Sequence, residues 1–141
     1  MTNAPIASTV IAIGLIPVAF LFTHAFLSGR NKWRYHKFTG ILAICWDLSM
    51  SIGYMLYRTL GGTMGGHTLD ISGPLRTYFI IHGIVASLVI LLEISVLTTG
   101  IINWKNNRTN GLHSKLARVL FFLWWFAFLS GELFYLIAYV I

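Results

Sequence analysis

Apolar residues fill four long stretches of the chain, and polar residues gather in the three gaps between them. The stretches run roughly Ile6–Leu27, Phe38–Tyr57, Tyr78–Trp104 and Leu116–Ile141. At ~1.5 Å of rise per residue, each can cross a hydrocarbon layer of about 30 Å as an α-helix. The pattern predicts an all-α integral membrane protein: one antiparallel four-helix bundle over residues 1–141. Pro17 is expected to kink the first helix. The connections Ser28–Lys37, Arg58–Thr77 and Lys105–Lys115 leave no room for a separate soluble domain.

Composition agrees. Of 141 residues, 57% are hydrophobic and only 10% are charged, which excludes an ordinary soluble domain. The net charge of +6 is not spread as a nucleic-acid footprint, because the cations cluster at segment ends. Arg30, Lys32, Arg34 and Lys37 mark the first connection, and Lys105, Arg108, Lys115 and Arg118 the third. By the positive-inside rule both connections are cytoplasmic and both termini outside, in a multi-pass protein of the plasma membrane. Trp33, Tyr35 and Trp104 suit the inner aromatic belt, and Tyr54, Tyr57, Tyr78, Tyr135 and Tyr139 the outer one. The opening MTNAPIAST has no basic n-region, so the first apolar run is expected to be a retained span. Cys45 is the sole cysteine, so no intrachain disulfide forms, and no C-x-x-C-H is present for a c-type haem.

The middle connection, TLGGTMGGHTLDISGPLRT, is the most irregular segment. Its glycine pairs suit either a flexible connector or a cover over an outer site. A faint repeat runs through the two basic connections. Gly29-x-x-x-Trp33 precedes His36, and Gly100-x-x-x-Trp104 precedes His113.

Polar residues inside the apolar segments carry the candidate chemistry. His36, Asp47 and Arg58 are spaced by eleven residues, as are His82 and Glu93. Eleven residues return to within ~20° of the same helix face. Charged groups at membrane depth cost roughly 3 kcal/mol or more each, so these stripes should face a protein interior. Asp47 and Glu93 fall near mid-membrane, as proton-carrying or electrostatic groups or simply as hydrogen bonds between helices. Glu132 lies off the His113 face.

His36, His82 and His113 each have a small residue four positions on: Gly40, Ala86 and Ala117. Position i+4 lies one turn along the same face, so each histidine borders a shelf that could admit a flat macrocycle. Axial ligation of a b-type haem by two histidines needs two imidazoles at one depth, on different helices, in an apolar core. His36 and His113 meet the depth condition, with His24 as a substitute for either. His82, with His67 in the loop, forms an outer candidate site, and Arg58 either holds a haem propionate or snorkels to the surface. One or two haems are expected. A weaker alternative is copper at Met64, His67 and His82. The bland reading stands beside both: interfacial histidines bond carbonyls, and small residues pack helices closely. Asn107-Arg108-Thr109 forms a glycosylation sequon on the cytoplasmic side, where it has no use. Trp124 and Trp125 read as packing bulk.

Taken in order, Tyr35-His36-Lys37, Tyr54 with Arg58-Thr59, Gly73-Pro74, Tyr78-Phe79 with His82, His113-x-Lys115-x-Ala117-Arg118, Trp125 and Ser130-Gly131 resemble a known pattern. Over residues 35–141 the chain is similar to the small four-helix membrane proteins of the domain of unknown function 420 family (CtaM/YozB-like). The resemblance implies a protein linked to respiratory haem–copper oxidases, chiefly to their maturation, with His36, His82 and His113 at the family's histidine positions. His24, His67, Asp47 and Glu93 depart from that pattern.

The resulting expectation is a b-type haem protein transferring electrons in or beside a respiratory oxidase or other membrane redox complex, with quinol as a candidate donor. The alternative is an oxidase assembly factor handling haem or copper without a redox role of its own. A third is a structural subunit whose polar stripes only pack the helices.

Overall fold

The computed structural model describes residues 5–32, 34–60, 73–107 and 111–141, apart from the side chain of Thr59. The described residues are all helical apart from short turns. Four α-helices run Ile6–Arg30 (α1), His36–Thr59 (α2), Gly73–Lys105 (α3) and Gly111–Tyr135 (α4). One π-helical turn, Leu136–Val140, continues α4. All four are long and apolar enough to cross a membrane. Each begins ahead of its apolar run or continues past it, because the first and last turns of a membrane helix can project into water. Pro17 lies inside α1, which continues past it.

The outward faces are apolar. Phe20, Phe38, Leu91 and Phe122 each expose well over half of their surface. In water such a contiguous coat would aggregate, whereas hydrocarbon imposes no penalty on it.

The inward faces pair by sequence order. α1 packs chiefly on α2 and α3 on α4, while α1 also meets α4 and α2 meets α3. Side-chain contacts give the sense of each pairing. Ser8 bonds Tyr54 near one end of α1, and Ser28 meets His36 near the other. Thr9 bonds Tyr135, whereas Phe26 stacks on Phe121. α1 thus runs opposite to both α2 and α4. Tyr78 bonding the Ser130 carbonyl, with Thr99 meeting His113, gives the same for α3 and α4.

The core is small and central. Val18, Ala43, Ile44, Val89, Leu120 and Trp124 are buried there. Trp124 lies between Phe22 and Phe128, stacked on both at centroid distances of 4.7 and 5.1 Å. Toward the basic connections this core gives way to open space.

The two described turns share a device. Lys32 and Asn107 have φ of 57° and 49°, and each lies two residues past the end of its helix. A left-handed residue there ends the preceding helix. The following helix then starts close beside the preceding one, with its histidine within the first turn.

Candidate functional site: a histidine pair in an apolar cavity

All four helices line one cavity of about 930 Å³ at the basic end of the protein. His36 from α2 and His113 from α4 both line it. Their ring centres are 6.3 Å apart and their planes cross at 73°. Two imidazoles binding one metal from opposite sides have centres about 6 Å apart, given metal–nitrogen bonds of ~2.0 Å. The observed spacing matches that of a shared metal, and with the 73° crossing it is also that of an edge-to-face ring contact.

The orientation of each ring is fixed from the neighbouring helix. His36 Nδ1 is 2.7 Å from the Ala25 carbonyl oxygen, and His113 Nδ1 is 3.1 Å from that of Val96. A carbonyl only accepts, so each Nδ1 must carry the proton. In the neutral ring Nε2 then keeps its lone pair. Among the described residues nothing hydrogen-bonds Nε2 of either histidine. An imidazole held in this way by a backbone acceptor is set up as a metal ligand.

A recurring socket holds these rings. Ser28 donates its hydroxyl to the Ala25 carbonyl at 3.1 Å, and the Thr99 hydroxyl is shared between the Ser95 and Val96 carbonyls at 2.9 and 3.1 Å. The next residue is glycine in both cases, and the Cε1 side of the ring lies against it. A methyl group built on Gly29 would be 2.7 Å from His36 Cε1, and one on Gly100 would be 3.0 Å from His113 Cε1. Any side chain there pushes on the imidazole. The hydroxyl–glycine pair is thus a docking groove: the hydroxyl helps polarise the carbonyl, and the glycine admits the ring.

The same socket occurs a third time, at the other end of the protein. His82 Nδ1 is 2.9 Å from Ser130 Oγ, and Ser130 donates to the Ala127 carbonyl at 3.0 Å. Because that hydroxyl has given its proton away, it accepts from Nδ1–H, and His82 adopts the same tautomer. Gly131 backs the ring. Ser28-Gly29, Thr99-Gly100 and Ser130-Gly131 could have been read from the sequence as a repeat, but only their docking partners give them meaning.

Gly40 and Ala117 line the cavity, one turn beyond His36 and His113. Ala86 lies one turn from His82 instead, at the other end. His24 does not line the cavity; its Nδ1 is 3.0 Å from Thr39 Oγ1, bracing the start of α2. Arg58, near the far end of α2, places its guanidinium over the Tyr54 ring. The cavity has its own cations: Arg30, Lys37 and Arg118. Sequence reasoning assigned these three to topology alone. Each directly follows a cavity residue (Gly29, His36 and Ala117), which was the signal available. Lys37 also places its ammonium over the Trp104 ring, tying the two hairpins together at the mouth. His67 and Met64 lie outside the described residues, so of the proposed copper ligands only His82 is placed. Arg108, Thr109 and Trp33 lie outside them too.

Asp47 and Glu93 meet in the core. Glu93 is fully buried and Asp47 is 3% exposed. The Trp124 indole and Ser51 also approach Asp47. Both Glu93 oxygens are buried, with no hydrogen bond of normal geometry to any described residue.

Chemically, the cavity offers two open imidazole nitrogens, apolar walls including Phe22, Phe26, Ile44 and Leu120, and a cationic mouth. That set suits a flat apolar ligand with a metal centre and acidic substituents. No protein-family model, curated protein or solved structure matches the chain.

Proposed function

We propose that this protein is an antiparallel four-helix bundle of the plasma membrane, with both termini outside, that binds b-type haem between His36 and His113. The observation that carries this reading is the histidine pair itself. Two rings stand 6.3 Å apart across an apolar cavity, each with Nδ1 committed to a carbonyl and Nε2 open. Arg30, Lys37 and Arg118 would hold the propionates. His36 and His113 would hold the haem, which would supply one-electron chemistry, and the apolar walls would keep the surroundings dry. Two protein ligands leave no site for oxygen, so the role is electron transfer in or beside a respiratory complex, with quinol as the donor class. The alternative is an oxidase assembly factor that passes haem or copper on, as the resemblance to the domain of unknown function 420 proteins suggests.

The deciding experiment is a reduced-minus-oxidised visible spectrum of protein made under haem-replete conditions, with pyridine haemochrome quantification. Sharp low-spin b-type bands at a stoichiometric haem content are expected. Protein that is folded yet free of haem would sink the reading.

The space in the cavity can be tested separately. A Cβ at Gly40 meets nothing within 4 Å. Gly40→Leu should therefore fold normally, gaining up to about 1 kcal/mol of helix propensity. Its side chain occupies the cavity, so haem retention should fall by roughly tenfold or more, since one misfitted group costs ~1–3 kcal/mol. Haem content after gel filtration reads the outcome; full retention would place the ligand elsewhere.

A further inference from the structure

We propose that Asp47 and Glu93 form a proton-exchanging carboxyl pair at the floor of the histidine cavity, taking up a proton when the haem gains an electron. The inference rests on the haem reading.

Position comes first. Ala43 and Ile44 of α2, Val96 of α3 and Leu120 of α4 form part of the cavity wall. Asp47, Glu93 and Trp124 each lie one turn deeper on the same helices, about 5 Å along the axes. The pair is therefore the first polar group beyond the cavity, with only an apolar layer between.

Its surroundings come second. α1 presents Val18 and Phe22 to this region and nothing titratable. α2 contributes Asp47 and Ser51, α3 contributes Glu93, and α4 contributes the Trp124 indole. Among the described residues every Lys and Arg lies near a helix end or in a turn: Arg30, Lys32, Arg34, Lys37, Arg58, Arg76, Lys105, Lys115 and Arg118. His36 and His113 are roughly three turns away in one direction, and His82 is three turns away in the other. No cation neutralises the carboxyls, so their charge can be balanced only by protons.

Glu93 is fully buried and both of its oxygens lack a partner of normal geometry. Buried polar groups with a purely structural role are normally hydrogen-bonded. A buried carboxyl pair with no cation beside it costs stability and has no packing role that leucines could not fill. A group that must gain and lose a proton needs such freedom.

The balance is simple. A reductant, quinol in the cell or dithionite in the cuvette, would supply the one electron that a bound haem accepts. A carboxylate of the pair takes one proton from hydronium in the aqueous phase, which becomes water, and the carboxylate becomes the acid. In a low-dielectric interior the added electron favours that protonation, and by reciprocity the proton favours reduction.

The test is a redox titration of haem-loaded protein across roughly three pH units, comparing wild type with Glu93→Gln and Asp47→Asn. Both variants keep the shape of the side chain. The expected result is a wild-type midpoint that falls as pH rises, by up to about 59 mV per unit for one proton per electron, and a flattened slope in both variants. Redox-difference infrared spectra should show a carboxylic C=O band that disappears in Glu93→Gln. A flat wild-type profile, or a slope that both variants retain, overturns the inference while leaving haem binding intact. Protein that takes up no haem overturns both readings and is recognised at once by the haemochrome assay.

Discussion

Replacing His36 or His113 with alanine is expected to abolish the low-spin haem spectrum, with haem retention falling by at least the roughly 100-fold that loss of even an indirect metal partner can cause. Each ring supplies one face of the proposed ligation, and no other imidazole lines the cavity. His24 cannot substitute, because its ring bonds Thr39 outside the cavity wall. The fold should survive. Removing His36 frees the Ala25 carbonyl from one donor, but Ser28 still supplies another. Removing His113 leaves the Val96 carbonyl with Thr99, whose hydroxyl it shares with the Ser95 carbonyl. The expected loss is about 1 kcal/mol per site, that of one ordinary hydrogen bond. Circular dichroism and thermal melting in mild detergent check folding, while the visible spectrum checks ligation. His82→Ala is the internal comparison. It lies at the other end, so the inner band should persist, and a halved haem content would reveal a second haem there. A normal spectrum in both His36→Ala and His113→Ala would refute the assigned ligands.

The second large effect concerns glycines. Gly29→Ala should lower both stability and haem retention, whereas Gly40→Ala should raise stability. The chemical change is identical and the surroundings differ. In a helix, alanine gains about 0.8–1.0 kcal/mol over glycine at either position. At Gly40 nothing opposes that gain. At Gly29 the new methyl would stand 2.7 Å from His36 Cε1 and 2.9 Å from Nδ1, so the ring must move. Overpacking of this kind costs roughly 1–3 kcal/mol, enough to cancel the gain or reverse it. A displaced ring also loses its 2.7 Å bond to Ala25. A ten- to 100-fold loss of haem affinity is expected, the usual scale for a disturbed ligand support. Gly100→Ala should be milder, because its nearest contact is 3.0 Å. The predicted order of haem retention is Gly40→Ala, then Gly100→Ala, then Gly29→Ala. Equal melting temperatures and equal haem contents across the three would mean that the sockets do not orient the histidines.

The glycine result also shows where sequence reasoning stopped. Spacing along one helix pointed to Gly40, Ala86 and Ala117 as the small neighbours of the three histidines. Gly40 and Ala117 do line the cavity. The residues against which the rings rest are Gly29, Gly100 and Gly131, on adjacent helices. Gly29 and Gly100 stood out in the sequence only as part of a faint repeat. Nothing in a linear pattern says that a glycine one helix back, rather than one turn on, receives a ring. The cations followed the same course: Arg58 was noticed for its stripe, while Arg30, Lys37 and Arg118 were absorbed into a topology argument.

The sequence by itself determined the helices. Long apolar runs broken by basic or glycine-rich gaps leave the backbone no alternative in hydrocarbon, since each peptide group must be satisfied within its own segment. It also indicated that His36 and His113 lie at one end of the protein, because both open a helix after a basic connection. Eleven-residue spacing likewise placed His36 with Asp47, and His82 with Glu93, on common faces. Only the tertiary structure decided which faces meet. It set the histidine rings 6.3 Å apart, joined Asp47 to Glu93, and put Gly29 and Gly100 behind the imidazoles. The physical reason is that helix rotation and pairing depend on side chains fitting across helices. Those contacts couple residues tens of positions apart, while periodicity reports only on one helix at a time.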